Sequence, residues 1–274
     1  MTTSLLPPDF ADWLRLREPA DAAARSAELL DEVRRRLPAD RLPADRPLVV
    51  HDLGSGTGSM ARWLAPRLPG PQRWVLHERD ADLLARAAGD LVAADGSPVT
   101  VLTRSSDITR LGAADLADAH LVTASALLDM LTAEEVDRTV AACAGHPTLF
   151  AITVLGRVRF TPSDPLDAEF EAAFNAHQRR TDGGRALLGP DAVDATVAAF
   201  RRRGVEVRTR PSPWRLGPEQ AALTTAWLAG WLDAAVEERP ELAGVVDAYR
   251  ERRLAEAADG RLRVVLDHAD LLAG

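Results

Sequence analysis

Val49-Val50-His51-Asp52-Leu53-Gly54-Ser55-Gly56-Thr57-Gly58 joins a short apolar run to three glycines at alternate positions, and the helical stretch Ser59–Leu68 follows at once. Glycines so spaced let the main chain turn sharply and let a ligand approach without meeting Cβ atoms. The helix behind the turn adds partial positive charge at its N-terminus. Strand, glycine turn and helix in this order open a nucleotide-type α/β fold. Taken alone, the same residues also suit a tight bend with no ligand.

Working outward, brief apolar runs alternate with helical stretches from residue 48 onward, the pattern of a parallel sheet with crossover helices. Strands are predicted at Leu48–Leu53, Trp74–His77, Val99–Thr103, His120–Thr123, Leu149–Val154, Val205–Thr209 and Arg263–Asp267. Two intervals, about 155–190 and 210–260, are too long for plain connections and are expected to form a helical cap. In the second, Leu223, Trp227, Trp231 and Ala235 recur every four residues as one apolar helix face, and Leu242, Val245, Val246 and Tyr249 make another after Pro240. These faces either pack on each other and the sheet or line an acceptor pocket. Upstream, Phe10, Trp13, Leu14, Leu29, Leu30, Val33 and Leu37 read as two amphipathic helices interrupted at Pro19. The tandem LPADR at 37–41 and 42–46 then acts as a linker. Residues 1–46 are thus a helical extension, and 47–274 the main domain.

A formal charge of −8 and a pI near 5.3 oppose broad attraction to phosphate backbones or anionic lipid, so neither nucleic acid nor a membrane is an expected partner. All 33 basic residues are Arg, spread along the chain. That reads as codon bias and says little about function. A lone Cys143 within Ala141–Ala144 fits a small buried residue in a reducing compartment. With no signal-peptide pattern at MTTSLLPPDFADW and no long apolar run, cytoplasmic residence is expected. No metal-ligand spacing is present, and the oligomeric state is not readable.

Asp52 lies two residues before Gly54 at the carboxyl end of its strand. A carboxylate there repels nucleotide phosphates and attracts a ligand with an ammonium and a sulfonium. Glu78 ends the second strand, twenty residues after Gly58, where an acid can accept from both hydroxyls of a ribose. Asp107, in Ser105-Ser106-Asp107-Ile108 after the third strand, can accept from an adenine amino group while Ile108 covers the ring.

The run DLGSGTG, the acid ending strand two and the SSDI after strand three together resemble the class I (Rossmann-like) S-adenosylmethionine-dependent methyltransferase family, over roughly residues 48–154. The resemblance implies a seven-stranded, mostly parallel sheet of order 3-2-1-4-5-7-6 with helices on both faces, strand seven antiparallel. Val205–Thr209 and Arg263–Asp267 fill the last two places. It implies S-adenosyl-L-methionine as cofactor, with Gly54, Gly56 and Gly58 against the methionine part, Asp52 on its ammonium, Glu78 on the ribose and Asp107 on the adenine. Ser55, Arg79, Ile108, Thr123, Ala124 and Ser125 complete the implied contacts. The fourth strand departs from the commonest family pattern: small residues at Ala124–Ala126 leave room beside the transferable methyl, and Asp129 can face the same cleft or merely begin a helix.

Methyl transfer from a sulfonium is an in-line displacement that needs alignment more than acid–base groups. Where a base is needed, histidine is the natural candidate. His177, in Phe174–Gly184 with its double glycine, is the candidate beside Asp129; His51 reads as structural, and His268 can be core or site. The acceptor is expected to be a small molecule. Two other readings remain: an NAD(P)-dependent oxidoreductase, disfavoured because Ser59 occupies the place of the third glycine in G-x-G-x-x-G, and a non-catalytic adenosylmethionine-binding scaffold.

Overall fold

The computed structural model describes residues 10–37, 46–87 and 89–274. The LPADR repeat lies outside the described residues from 38 to 45. The chain opens with helix α1 (Phe10–Ala24) and helix α2 (Ala27–Arg36). Pro19 does not divide α1 as expected but sits inside it. A proline removes one ladder bond and crowds the preceding turn. Side-chain contacts offset that loss: within the helix Arg17 grips Asp21 at 3.0 and 3.1 Å, and from outside it Arg62 holds Glu18 at 2.7 and 2.6 Å. The true break falls at Arg25–Ser26, where the Ser26 hydroxyl caps α2 by accepting from Leu29 N–H.

Strand β1 (Leu48–Leu53) is buried at every position and leads through the glycine turn into α3 (Ser59–Leu64). Then come β2 (Gln72–Glu78), α4 (Ala81–Ala87), β3 (Val99–Ser105), β4 (Leu121–Ser125) and α5 (Ala133–Cys143), the last opened by a Thr132/Glu135 capping box. Strand β5 (Thr148–Thr161) is followed by α6 (Asp167–Gln178), the small hairpin β6 (Thr181–Asp182) and β7 (Arg185–Ala186), α7 (Ala192–Arg202), β8 (Val207–Pro211) and β9 (Trp214–Leu216). Helices α8 (Ala221–Glu238) and α9 (Ala243–Ala258) precede the final strand β10 (Arg263–Ala273).

The main sheet runs β3-β2-β1-β4-β5-β10-β8. Strands β1 to β5 pair in parallel, and β10 is antiparallel to both β5 and β8, so the order 3-2-1-4-5-7-6 is present with β10 in place seven and β8 in place six. Beyond that pattern, β9 adds to the first half of β10. Strand β5 also continues past Val154 into what was expected to be insertion. The reason is local: Arg157, Val158, Arg159 and Phe160 alternate in character, a strand signal that the following helix obscures.

Three apolar clusters result. One packs α2 and α3 on one face of the sheet, a second packs α5 and α7 on the other, and a third joins α6, α8 and α9 to the outer parts of β5, β9 and β10. Leu223, Trp227, Trp231 and Ala235 form the buried face of α8, as their spacing requires. On α9, Val246 and Tyr249 are buried, whereas Val245 points outward. No helix among the described residues is long and apolar enough to cross a membrane.

Candidate active site

A cavity of about 380 Å³ opens at the carboxyl ends of β1, β2 and β4. Its polar half is built by the glycine turn. Gly54, Gly56 and Gly58 have φ of +61°, +53° and +82°, a region that residues with a Cβ rarely enter. Ser55 N–H donates to the His77 carbonyl at 3.0 Å, which ties the turn to β2. Glu78 closes the arrangement by accepting from the Gly56, Arg79 and Asp80 N–H groups at 3.0, 2.8 and 3.1 Å. The acid that ends strand two therefore also holds the loop that ends strand one.

Asp52 is 1% exposed at the base of this half. Its Oδ1 accepts from the Thr123 hydroxyl at 2.7 Å, while Oδ2 has no partner. Burial lifts the carboxyl to about 7, against the Thr123 hydrogen bond and the nearby Arg25, with Glu78 adding repulsion. The buried Ser55 hydroxyl is also unpaired. Two orphaned polar atoms beside a cradle that a Cβ would fill mark a site shaped for a polar ligand. Of the expected cofactor contacts, Asp52, Gly54, Ser55, Gly56, Glu78, Arg79, Asp107, Ile108 and Ser125 line the cavity. Thr123 lies behind Asp52 and orients it. Gly58 caps α3, where a Cβ would come within 3.2 Å of the Ala87 carbonyl, and Ala124 is packed in the core, so neither lines the cavity.

Asp107 caps a short 3₁₀ turn by accepting from Thr109 N–H at 3.0 Å and keeps its carboxylate at the cavity rim. Asp129 lines the cavity, half-buried, its carboxyl raised by desolvation. His177 does not. It lies in the last turn of α6 with Nε2 3.3 Å from Glu237, on the side of the helix facing α8. The expected double-glycine loop is the turn of the β6–β7 hairpin.

The other half of the cavity comes largely from places the sequence did not mark as a site, although it leaves Trp227 and His268 open as candidates. Phe10, Trp13, Leu14 and Arg17 enter from α1, Phe174 and Gln178 from α6, Trp214 from β9, Trp227 from α8, and Leu266 and His268 from β10. Trp231, by contrast, is core, packed on Phe160, Phe170 and Phe174. The period-four face of Trp227 and Trp231 was visible in the sequence, but which ring reaches a cavity depends on the tertiary angle of α8. Arg185 also lines the cavity, with its charge taken by Glu135 at 2.7 and 2.9 Å. Among the described residues no group of three or more His, Cys, Asp or Glu side chains is placed to hold a metal ion.

No protein-family model and no curated protein matches the chain. Solved structures do. A putative type II methyltransferase from Anaeromyxobacter dehalogenans superposes with a TM-score of 0.53 at 17% identity, over 91% of this chain and 96% of that one. A SAM-dependent methyltransferase from Geobacter sulfurreducens in complex with S-adenosyl-L-homocysteine gives 0.48 at 16% identity, over 97% and 98%. A cyclopropane synthase from Mycobacterium tuberculosis gives 0.48 at 14%, over 99% and 100%. Together with the strand order and the turn after β1, the likeness to the Anaeromyxobacter protein assigns this chain the Rossmann-like fold of class I methyltransferases.

Proposed function

We propose that the chain is a methyltransferase that uses S-adenosyl-L-methionine and acts on a small-molecule acceptor. The observation that carries this reading is the single cavity with two unlike halves, one ringed by the glycine turn, Glu78 and the unpaired Asp52 oxygen, the other by tryptophans. Glu78 suits the ribose hydroxyls, Asp107 and Ile108 the adenine, and Asp52 the ammonium. When bound, the cofactor supplies a methyl group on a cationic sulfur with a good leaving group. The protein's part is to align donor and acceptor and to exclude water. Ser125 and Ala126, between the halves, leave space for the methyl, and Asp129 stands close enough in the fold to orient an acceptor. A dinucleotide fits less well, because the acidic Asp52, with one oxygen unpartnered, would face its pyrophosphate. We place the protein in the cytoplasm, since its one cysteine, Cys143, is a buried thiol pushed up to about 12 by desolvation and makes no disulfide.

Calorimetric titration with S-adenosylhomocysteine, beside NADH and NADPH, tests the reading. Micromolar affinity for the homocysteine alone, lost in Glu78→Ala, is the expected result; binding of a nicotinamide cofactor in its place would overturn it.

The same titration carries a pH signature. With Asp52 near 7, about half the molecules hold a proton there at pH 7. An ammonium seated against it favours the charged form, so binding should release about half a proton at pH 7 and tighten as pH rises through that value. Binding enthalpies measured in buffers of different ionisation enthalpy read this directly. No dependence on buffer would place the ammonium elsewhere.

A further inference from the structure

Five of the six histidines have at least one ring nitrogen hydrogen-bonded: His51 and His77 bond each other and then Asp118 and Ser106, His120 accepts from Val49 N–H, His146 meets the Ala119 carbonyl, and His177 meets Glu237. His268 differs. It is 4% exposed, lines the cavity, and its Nδ1 has no hydrogen-bond partner. The register of β10 against β5 breaks on both sides of it, between Leu266 and His268 and between Ala269 and Leu271. Such irregularities re-aim side chains next to sites. An unpaired polar atom in a buried place costs free energy, and its presence calls for a ligand.

The surroundings state what kind. Trp214 lies 5.4 Å from the His268 ring, and Trp13, Trp227 and Phe174 complete an aromatic enclosure. Three charged groups face His268: Arg17 and Asp21 from α1, and Asp267 beside it on β10. They cancel locally, because Arg17 is forked onto Asp21 while its guanidinium covers Trp214 at 4.9 Å, and Asp267 is taken by Arg159 at 2.7 and 2.9 Å. A flat, uncharged ligand suits the walls beside His268, where these three charges are already paired.

Resting on the methyltransferase reading, we propose that this half of the cavity takes a flat, uncharged aromatic acceptor bearing a hydroxyl, and that His268 is the catalytic residue that receives the hydroxyl proton. An amine attacks through a free lone pair and can shed its proton later to water, but a hydroxyl oxygen must lose its proton to leave a neutral ether. In the step, the O–H bond yields its proton to a His268 ring nitrogen, the oxygen forms a bond to the methyl carbon, and the carbon–sulfur bond breaks with its electron pair going to sulfur. One positive charge disappears at sulfur as one appears on the imidazole, so the buried site keeps the same net charge. The ring then returns its proton to solvent as product leaves. Burial, with Arg17 adding to it, lowers the free imidazole to about 4, so the ring is neutral at neutral pH but a weak base, and its proton uptake relies on the matching loss of charge at sulfur.

The test uses the full chain saturated with S-adenosylhomocysteine and titrated with 2-naphthol and 2-methoxynaphthalene, which share a ring system but differ in the donor. The naphthol is expected to bind roughly tenfold tighter, the value of one buried hydrogen bond, and His268→Leu should erase that preference while homocysteine affinity stays unchanged. Trp214→Ala should weaken both probes. On the wild-type protein, naphthol should shift the ring-nitrogen resonances of His268 in ¹⁵N-histidine spectra, a readout that needs neither turnover nor a folded variant. Equal affinity for the two probes, no binding of either, or an unmoved His268 resonance would overturn the proposal. Absence of homocysteine binding would instead overturn the cofactor reading on which it rests.

Discussion

Gly56→Val should bind S-adenosylhomocysteine at least about a hundredfold more weakly than the parent protein, a loss of about 2.7 kcal/mol. Gly56 has φ +53°, and a Cβ there would stand 3.1 Å from Leu14 Cδ1. A left-handed conformation costs a side-chain-bearing residue about 1–2 kcal/mol, and a β-branched one more. The clash is with the flexible end of a leucine and can be relieved; the backbone strain cannot. Relief by peptide rotation would take the Gly56 N–H away from Glu78, its 3.0 Å partner, and so dismantle the loop and free the acid together. The variant should fold, because the turn lies at the rim of the sheet, with far-ultraviolet circular dichroism unchanged. Retained affinity would mean that the cofactor does not approach the Gly56 backbone.

Arg253→Ala is expected to lower unfolding free energy by roughly 3–5 kcal/mol in denaturant titration, the usual cost of breaking a buried pair from one side. Its guanidinium, wholly buried, donates to the Pro162 carbonyl at 2.7 Å, to Glu256 at 2.8 Å and to Asp167, and covers Phe160 at 4.6 Å. Tyr249 donates to the same Asp167 oxygen at 2.7 Å. Removing the arginine leaves the Asp167 carboxylate without its counter-charge in the cap and opens a void between α9 and β5. A loss below about 1 kcal/mol would show that water enters and replaces the guanidinium. Homocysteine binding by the folded fraction should be intact, since none of these residues lines the cavity.

The parts of this molecule that were legible in its sequence are those whose geometry is local. The turn after β1 is encoded in ten consecutive residues, and Glu78 and Asp107 stand at strand ends that apolar runs announce. The acceptor-side wall is different in kind. Trp13 meets the cavity through the docking of α1, which Trp214 holds at Asp21 and Arg62 at Glu18. His268 faces the cavity only because β10 continues beyond Asp267 in a bulged register against β5. No window of neighbouring residues contains either fact, whereas the polar, glycine-flanked segment around His177 is visible locally although that side chain does not line the cavity.

Asp270 has a consequence for ligand capture. Its carboxylate, 1% exposed, accepts from Ile152 N–H at 2.8 Å and from Ser26 N–H at 2.7 Å, joining the strained φ +56° residue of β5 to the junction between α1 and α2. The helix that lines the cavity is therefore moored to the sheet through its adjoining main chain, in addition to the long side chains of Arg25 and Arg62 that reach Ser125 and Glu18. A wall set in place before the ligand arrives leaves little motion to freeze on binding, and each contact it makes contributes more to affinity than the same contact from a mobile lid.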